Sequence, residues 1–241
     1  MRLVWTYSKD YKKGVLNNKA EHEYIQWLFK KSITEAPCSY HKIIYTDADT
    51  AHLFSDIVDT VIIRERKDFI FLADLKFDIA EILTGEFIIS DGDLFINSEL
   101  TLPECDMAFE HFGTVGDIVS NYKKILLDEG IVDYVPIWGS DNEQYSNLGL
   151  MYFNNDTAKE ELIKEYRKTQ KFYIKNIEPK YGFNKRNKQF SACGSQMLVQ
   201  QFKLNSNYNV KYLIDDNYTK YIHYNNRNKM KLNKEFYNKL I

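Results

Sequence analysis

The segment from Glu86 to Ile96 reads Glu-Phe-Ile-Ile-Ser-Asp-Gly-Asp-Leu-Phe-Ile. An apolar strand ends in it, and two carboxylates, Asp91 and Asp93, emerge on either side of Gly92. In open α/β sheets, ligands bind outside the carboxyl ends of the strands. Gly92 is expected to let the backbone turn sharply, so that both carboxylates serve one centre. Hard oxygen ligands of this kind suit Mg²⁺ or Mn²⁺, with substrate phosphates filling further positions. An ion held there neutralises a diphosphate leaving group. The bland alternative is a polar turn between two strands.

Such a turn needs a strand in the middle of a sheet, and the preceding residues supply the pattern. Arg2 to Tyr7 reads as a first strand, Lys42 to Tyr45 as a second, Thr60 to Ile63 as a third and Phe87 to Ile89 as a fourth. Helices are expected between them, over Ala20–Lys31 and Phe69–Leu83, where apolar residues recur at helical spacing and Gly85 stops the second. Alternating strands and helices imply βαβ units and an α/β fold with a mainly parallel central sheet flanked by helices. Further on, Leu148 to Phe153 and Val210 to Ile214 read as strands, and Thr157–Lys171 and Ser195–Phe202 as helices. Lys180 to Gln189 has few apolar residues and reads as an exposed loop. No repeat or low-complexity linker divides the chain, so 1–241 is expected to be a single domain.

The bulk composition is that of a soluble globular protein, with 44% hydrophobic and 27% charged residues. No apolar run approaches the roughly 20 residues that span a bilayer. With no signal-like segment either, a cytoplasmic location is expected. Cys38, Cys105 and Cys193 are odd in number and lack CxxC spacing, which argues against disulfides and a thiolate zinc site. The net charge of −2 conceals a balance of −12 over residues 1–150 and +10 over 151–241. Such asymmetry suits an anionic ligand on the C-terminal side, or only solvated helix faces.

Four more segments, in order, resemble the retaining GT-A glycosyltransferase family that contains glycogenin and bacterial lipopolysaccharide galactosyltransferases. Thr6-Tyr7-Ser-Lys-Asp10-Tyr11-Lys-Lys-Gly14 is similar to its opening loop. Leu75-Lys76 lies where the family keeps a basic residue near the donor, and Ser146-Asn147-Leu-Gly149 resembles its Asn-Ser-Gly strand. Ile222-His223-Tyr-Asn-Asn226-Arg-Asn-Lys229 resembles its late His-x-x-Gly-x-x-Lys-Pro motif. The resemblance implies a GT-A domain with a nucleotide-binding half over 1–96 and an acceptor-side half, with a donor-binding tail, over 97–241. It implies Asp91, Asp93 and His223 as ligands of Mn²⁺ or Mg²⁺. Thr6, Tyr7, Tyr11, Lys76 and Lys229 would contact a nucleotide-diphosphate sugar, such as a UDP-sugar. Asn147 and Gln196 would act at the sugar.

Three departures stand out: Asn226 replaces the motif's Gly, Met230 its Pro, and Ser195-Gln196 an Asp-Gln pair whose Asp faces the sugar. The catalytic base or nucleophile is therefore unassigned. The acceptor would be a glycan hydroxyl or, given the basic C-terminal half, a hydroxymethylated base in DNA. Two alternatives accompany this reading. Haloacid dehalogenase-like phosphohydrolases also carry Asp-x-Asp at a strand end, and Asp215-Asp216 imitates their late acidic pair, but their nucleophile strand comes first. A non-catalytic nucleotide-sugar-binding domain is the other.

Overall fold

The computed structural model describes residues 1–8, 19–65, 73–114, 144–176, 195–196, 198–200, 202–217 and 219–223. Tyr11, Lys229, Asn226, Met230, the first residues of the helix expected from Phe69, and the loop Lys180–Gln189 lie outside these. The strands are Arg2–Tyr7 (β1), His41–Thr46 (β2), Thr60–Ile63 (β3), Phe87–Ser90 (β4), Leu94–Ile96 (β5), Met107–Phe109 (β6), Phe112–Thr114 (β7), Gln144–Ser146 (β8), Leu150–Phe153 (β9), Val210–Tyr212 (β10) and Tyr221–His223 (β11). The longer helices are Lys19–Glu35 (α1), Asp74–Ile82 (α2) and Asp156–Asn176 (α3).

Seven strands form one sheet in the order β10-β6-β9-β4-β1-β2-β3. β1 pairs parallel with β2 and β4, β2 with β3, and β6 with β10. β9 runs antiparallel to both β4 and β6. Within this sheet all the described strands but β9 therefore point the same way, as the βαβ pattern implies. β4 is buried at every residue and sits mid-sheet, which explains its unbroken Phe-Ile-Ile run.

Alternate residues feed two cores. Val4, Ile43, Ile89, Phe109, Met151 and Phe153 face α2 and α3 on one side. Leu3, Trp5, Ile44, Ile88, Leu150 and Tyr152 face the other, with Ile33 of α1 and Leu94 of β5. The layers are tied by polar bonds too. Ser32 of α1 accepts from Trp5 Nε1 at 2.9 Å and donates to the Leu94 carbonyl at 2.6 Å.

Several boundaries differ from the sequence expectation. α1 runs one turn past Lys31 because Ile33 is needed in the core, and Pro37 follows its end. β9 begins at Leu150 rather than Leu148, since Asn147 to Gly149 turn away from the ladder. α3 extends to Asn176, and β10 stops at Tyr212. Gly85 has a φ of 69°, the left-handed conformation that ends the α2 connection. Among the described residues, no helix is long and apolar enough to cross a membrane.

Candidate functional site

Asp91 directly follows β4, and its N–H donates to the Gly149 carbonyl at 2.8 Å. The Leu94 N–H closes the next turn onto the Asp91 carbonyl at 3.3 Å. The chain then enters β5, which pairs antiparallel with β11 and sets His223 opposite Leu94, one residue from Asp93. The ribbon thus carries a residue from late in the chain to the carboxylates. One ligand atom from each of Asp91, Asp93 and His223 lies within 4.8 Å of the others. Their side chains are 33%, 25% and 19% exposed, so the cluster is half-sunk with an open face.

The expected turn is present over Gly92 and Asp93, and it needs no positive φ, which among the described residues only Gly85 adopts. Glycine is required because a Cβ at position 92 would overlap the ring of Phe29. That ring cannot easily retreat. It meets Tyr7 edge-on at 5.1 Å, and Tyr7 in turn packs on Phe54 at 5.0 Å.

Around the three ligand candidates lies a second layer that the sequence reading missed. Glu110, at the end of β6, is 1% exposed, and its Oε1 lies 2.8 Å from His223 Nδ1. A carboxylate can only accept, so Nδ1 carries the proton and Nε2 faces Asp93 at 3.5 Å. The signal was present: Met-Ala-Phe-Glu-His repeats the pattern of Phe-Ile-Ile-Ser-Asp, an apolar strand with an acid at its carboxyl end. Gly149 makes room here, because a Cβ on it would overlap Glu110 Oε2 and stand 2.9 Å from His223 Cε1. Lys76 is buried in α2; its ammonium sits 2.5 Å from Asp91 Oδ1 and also donates to the Leu148 carbonyl.

The charges couple. Burial disfavours an imidazolium at His223, but hydrogen bonds to Asp93 and Glu110, with the charges of Glu110 and Asp91, outweigh it and lift its pKa to about 10. Burial raises the Asp91 carboxyl; Lys76 opposes that and Asp93 adds to it. Burial also pushes Glu110 up, yet His111, whose Nδ1 lies 3.5 Å from Oε1, and the hydrogen bond from His223 prevail and hold it below the usual carboxylate range.

The donor set fits a divalent cation. Two carboxylates and a neutral imidazole offer hard and borderline ligands, and the open face leaves room for phosphate oxygens. Three carboxylates against Lys76 leave a formal charge of −2 once His223 is neutral, which one such ion cancels. The Glu110 Oε2 atom is buried without a hydrogen-bond donor, consistent with a carboxylate kept for its charge and aim.

Besides Lys76, four other expected site residues are among those described: Asn147, Thr6, Tyr7 and Gln196. Asn147 Oδ1 accepts from the Gly149 N–H at 2.8 Å, and its backbone bonds Glu110 and His111, so it borders the cluster. Thr6 and Tyr7 are not drawn into it. Tyr7 is 3% exposed, and its hydroxyl bonds Gln26. Gln196 is half-buried, four residues before Gln200, whose Oε1 accepts from Ser146 at 3.2 Å and Tyr212 at 2.8 Å. Beyond β2, Asp47 accepts from Ser8 and pairs with buried Arg64 at 3.1 Å.

No family model matches the chain, and no curated protein matches it in sequence. Solved structures do resemble it. The glycosyltransferase GlyE of Streptococcus pneumoniae TIGR4 is 14% identical, over 89% of this chain and 46% of that one, with a TM-score of 0.48. A nucleoside-diphosphate-sugar pyrophosphorylase from Vibrio cholerae RC9 is 14% identical over 96% and 99%, also at 0.48. Mouse xyloside xylosyltransferase 1 is 12% identical over 82% and 80%, at 0.40. The chain spans about half the length of GlyE. At these identities the functional reading rests on the geometry of the site.

Proposed function

We propose that the chain is a glycosyltransferase of the GT-A kind, using Asp91, Asp93 and His223 to hold Mn²⁺ or Mg²⁺ and, through it, a nucleotide-diphosphate sugar. The observation that carries this is the convergence of the three side chains, from the end of β4, the start of β5 and the end of β11, on the carboxyl edge of the parallel strands. When bound, the ion supplies positive charge where negative charge grows on the departing diphosphate.

The chain's own residues do the rest. Lys76 fixes Asp91 from beneath. Asn147, whose side-chain carbonyl is engaged by Gly149, can offer its amide nitrogen to a sugar hydroxyl. Gln196 is assigned the same task, and Lys229 the grip on the diphosphate. A UDP-sugar is the donor we favour, with a glycan hydroxyl as acceptor. A DNA acceptor draws less support, because two cations of the basic half are already engaged. Arg167 binds Asp78 at 2.7 Å and Glu81 at 2.6 Å, and Lys168 binds Glu165.

The test is calorimetry of UDP binding with and without Mn²⁺, followed by hydrolysis of a panel of UDP- and GDP-sugars. Binding that collapses on EDTA, with turnover of one donor, is the expected result. Full-strength binding in EDTA overturns the metal assignment. Release of phosphate from a generic phosphomonoester instead selects the dehalogenase-like chemistry.

A further inference from the structure

Glu110 is the most deeply buried acid around the site, and the proposed reaction leaves it without a task. Its backbone is pinned on both sides: its N–H donates to the Asn147 carbonyl at 3.2 Å, and its carbonyl accepts from the Ile214 N–H at 2.9 Å. The side chain therefore starts from a fixed point. One oxygen takes the His223 Nδ1–H at 2.8 Å, with His111 Nδ1 3.5 Å from it, and the other lies against Gly149 with no donor. Leaving that second oxygen buried without a donor is costly, so stability alone does not account for the seat. The Gly149 gap is equally specific, since a methyl group there would strike both Glu110 and His223.

We propose that Glu110, seated against Gly149, is the positioning residue of His223: it holds the Nδ1–H tautomer and aims Nε2 at the Asp91–Asp93 pair, so that the histidine can join a divalent cation. The proposal rests on the divalent-cation reading above. It concerns three separate segments, the ends of β6 and β11 and the turn before β9, which meet only in the folded chain. Carboxylates behind metal-bound histidines act in this way, and their loss costs about 10- to 100-fold in metal affinity.

The experiment measures Mn²⁺ affinity by calorimetry at saturating UDP for the full chain and for Glu110→Gln, Glu110→Ala and Gly149→Ala. A nitrogen NMR spectrum of the Mg²⁺–UDP complex reports the His223 tautomer. Glu110→Ala is expected to lose about 10- to 100-fold in Mn²⁺ affinity and to show a mixture of tautomers. Glu110→Gln keeps an acceptor oxygen, so it should retain the Nδ1–H tautomer and lose less. Gly149→Ala should behave like Glu110→Ala. If Glu110→Ala fails to fold, Glu110→Gln and Gly149→Ala carry the comparison. Unchanged affinity and tautomer in the variants, beside a wild type that binds Mn²⁺, overturn the role of Glu110 alone. A wild type that binds no Mn²⁺ overturns the metal reading and this proposal with it.

Discussion

Asp93 is the ligand candidate whose loss separates chemistry from stability best. It stands past the turn, a quarter exposed, whereas Asp91 is locked to Lys76. Asp93→Asn keeps the shape and removes the charge. We expect kcat for donor turnover to fall by at least about 100-fold, the scale of losing one electrostatic stabiliser, with little change in melting temperature. Near-normal turnover would refute the metal assignment. The proton on His223 gives a second test. In the metal-free protein its pKa is about 10, against 6.5 for a free imidazole. A raised pKa contributes stability that is complete below about pH 6.5 and is lost as pH rises towards 10. The metal-free protein should therefore melt several degrees lower at pH 9.5 than at pH 6.5, and His223→Ala should shrink that difference. Metal binding runs the other way. The ion needs the neutral ring, so binding near pH 7.5 should release about one proton. The calorimetric heat should then scale with the buffer's ionisation enthalpy. A heat independent of the buffer would remove His223 from the coordination sphere.

Elements decide how those groups meet, and the carboxylate turn is held up from below. Phe29 of α1 fills the space beside Gly92, boxed in by Tyr7 and Phe54. Gly92→Ala must push that ring away, and overpacking of this kind costs about 1–3 kcal/mol. The melting temperature should drop by roughly 2–4 °C per kcal/mol for a chain of this size. The displaced turn should also weaken Mn²⁺ binding, and Phe29→Leu added to Gly92→Ala should recover part of both. Equal stability of Gly92→Ala and wild type would show that the aromatic box yields freely. This pair marks where sequence reading stops. Asp91 and Asp93 were legible because an apolar run ending in acids is a local pattern. The turn at Gly92 was legible too, but not the packing that excludes a side chain there, since no local rule reports a phenylalanine more than sixty residues earlier. Glu110 repeated the legible pattern, but the role proposed for it depends on a β5–β11 pairing between residues far apart in the chain. Helix α3 shows the same limit: its basic residues read as a charged face, yet Arg167 is an internal clamp onto α2.

On the scale of the molecule, the one antiparallel strand among the described strands of the large sheet explains why one edge of that sheet collects the site. β1, β2, β4 and β6 deliver their carboxyl ends there, while β9 delivers its amino end, so Asn147 and Gly149 arrive beside Asp91 and Glu110. β11 is the exception, for it reaches the edge only through its short ladder with β5 and takes no part in the seven-stranded sheet. Stability and site completeness are thus separable. Ending the chain after Tyr221 removes His223 and the Ile222–Phe95 and His223–Leu94 pairs, yet leaves every described pairing of the large sheet in place. Tyr221, buried against Ile96, would remain. The truncated protein should therefore still melt cooperatively, with a modest loss in temperature. Its Mn²⁺-dependent UDP binding should fall below detection, because Asp91 and Asp93 alone leave the site without its nitrogen ligand. Restoring residues 222–223 alone should recover metal affinity in part, and the remainder of the loss would belong to the segment that carries Lys229. Truncated protein that binds Mn²⁺–UDP as the full chain does would show that the β11 ribbon is only a structural strap, and that the two carboxylates serve a different ligand.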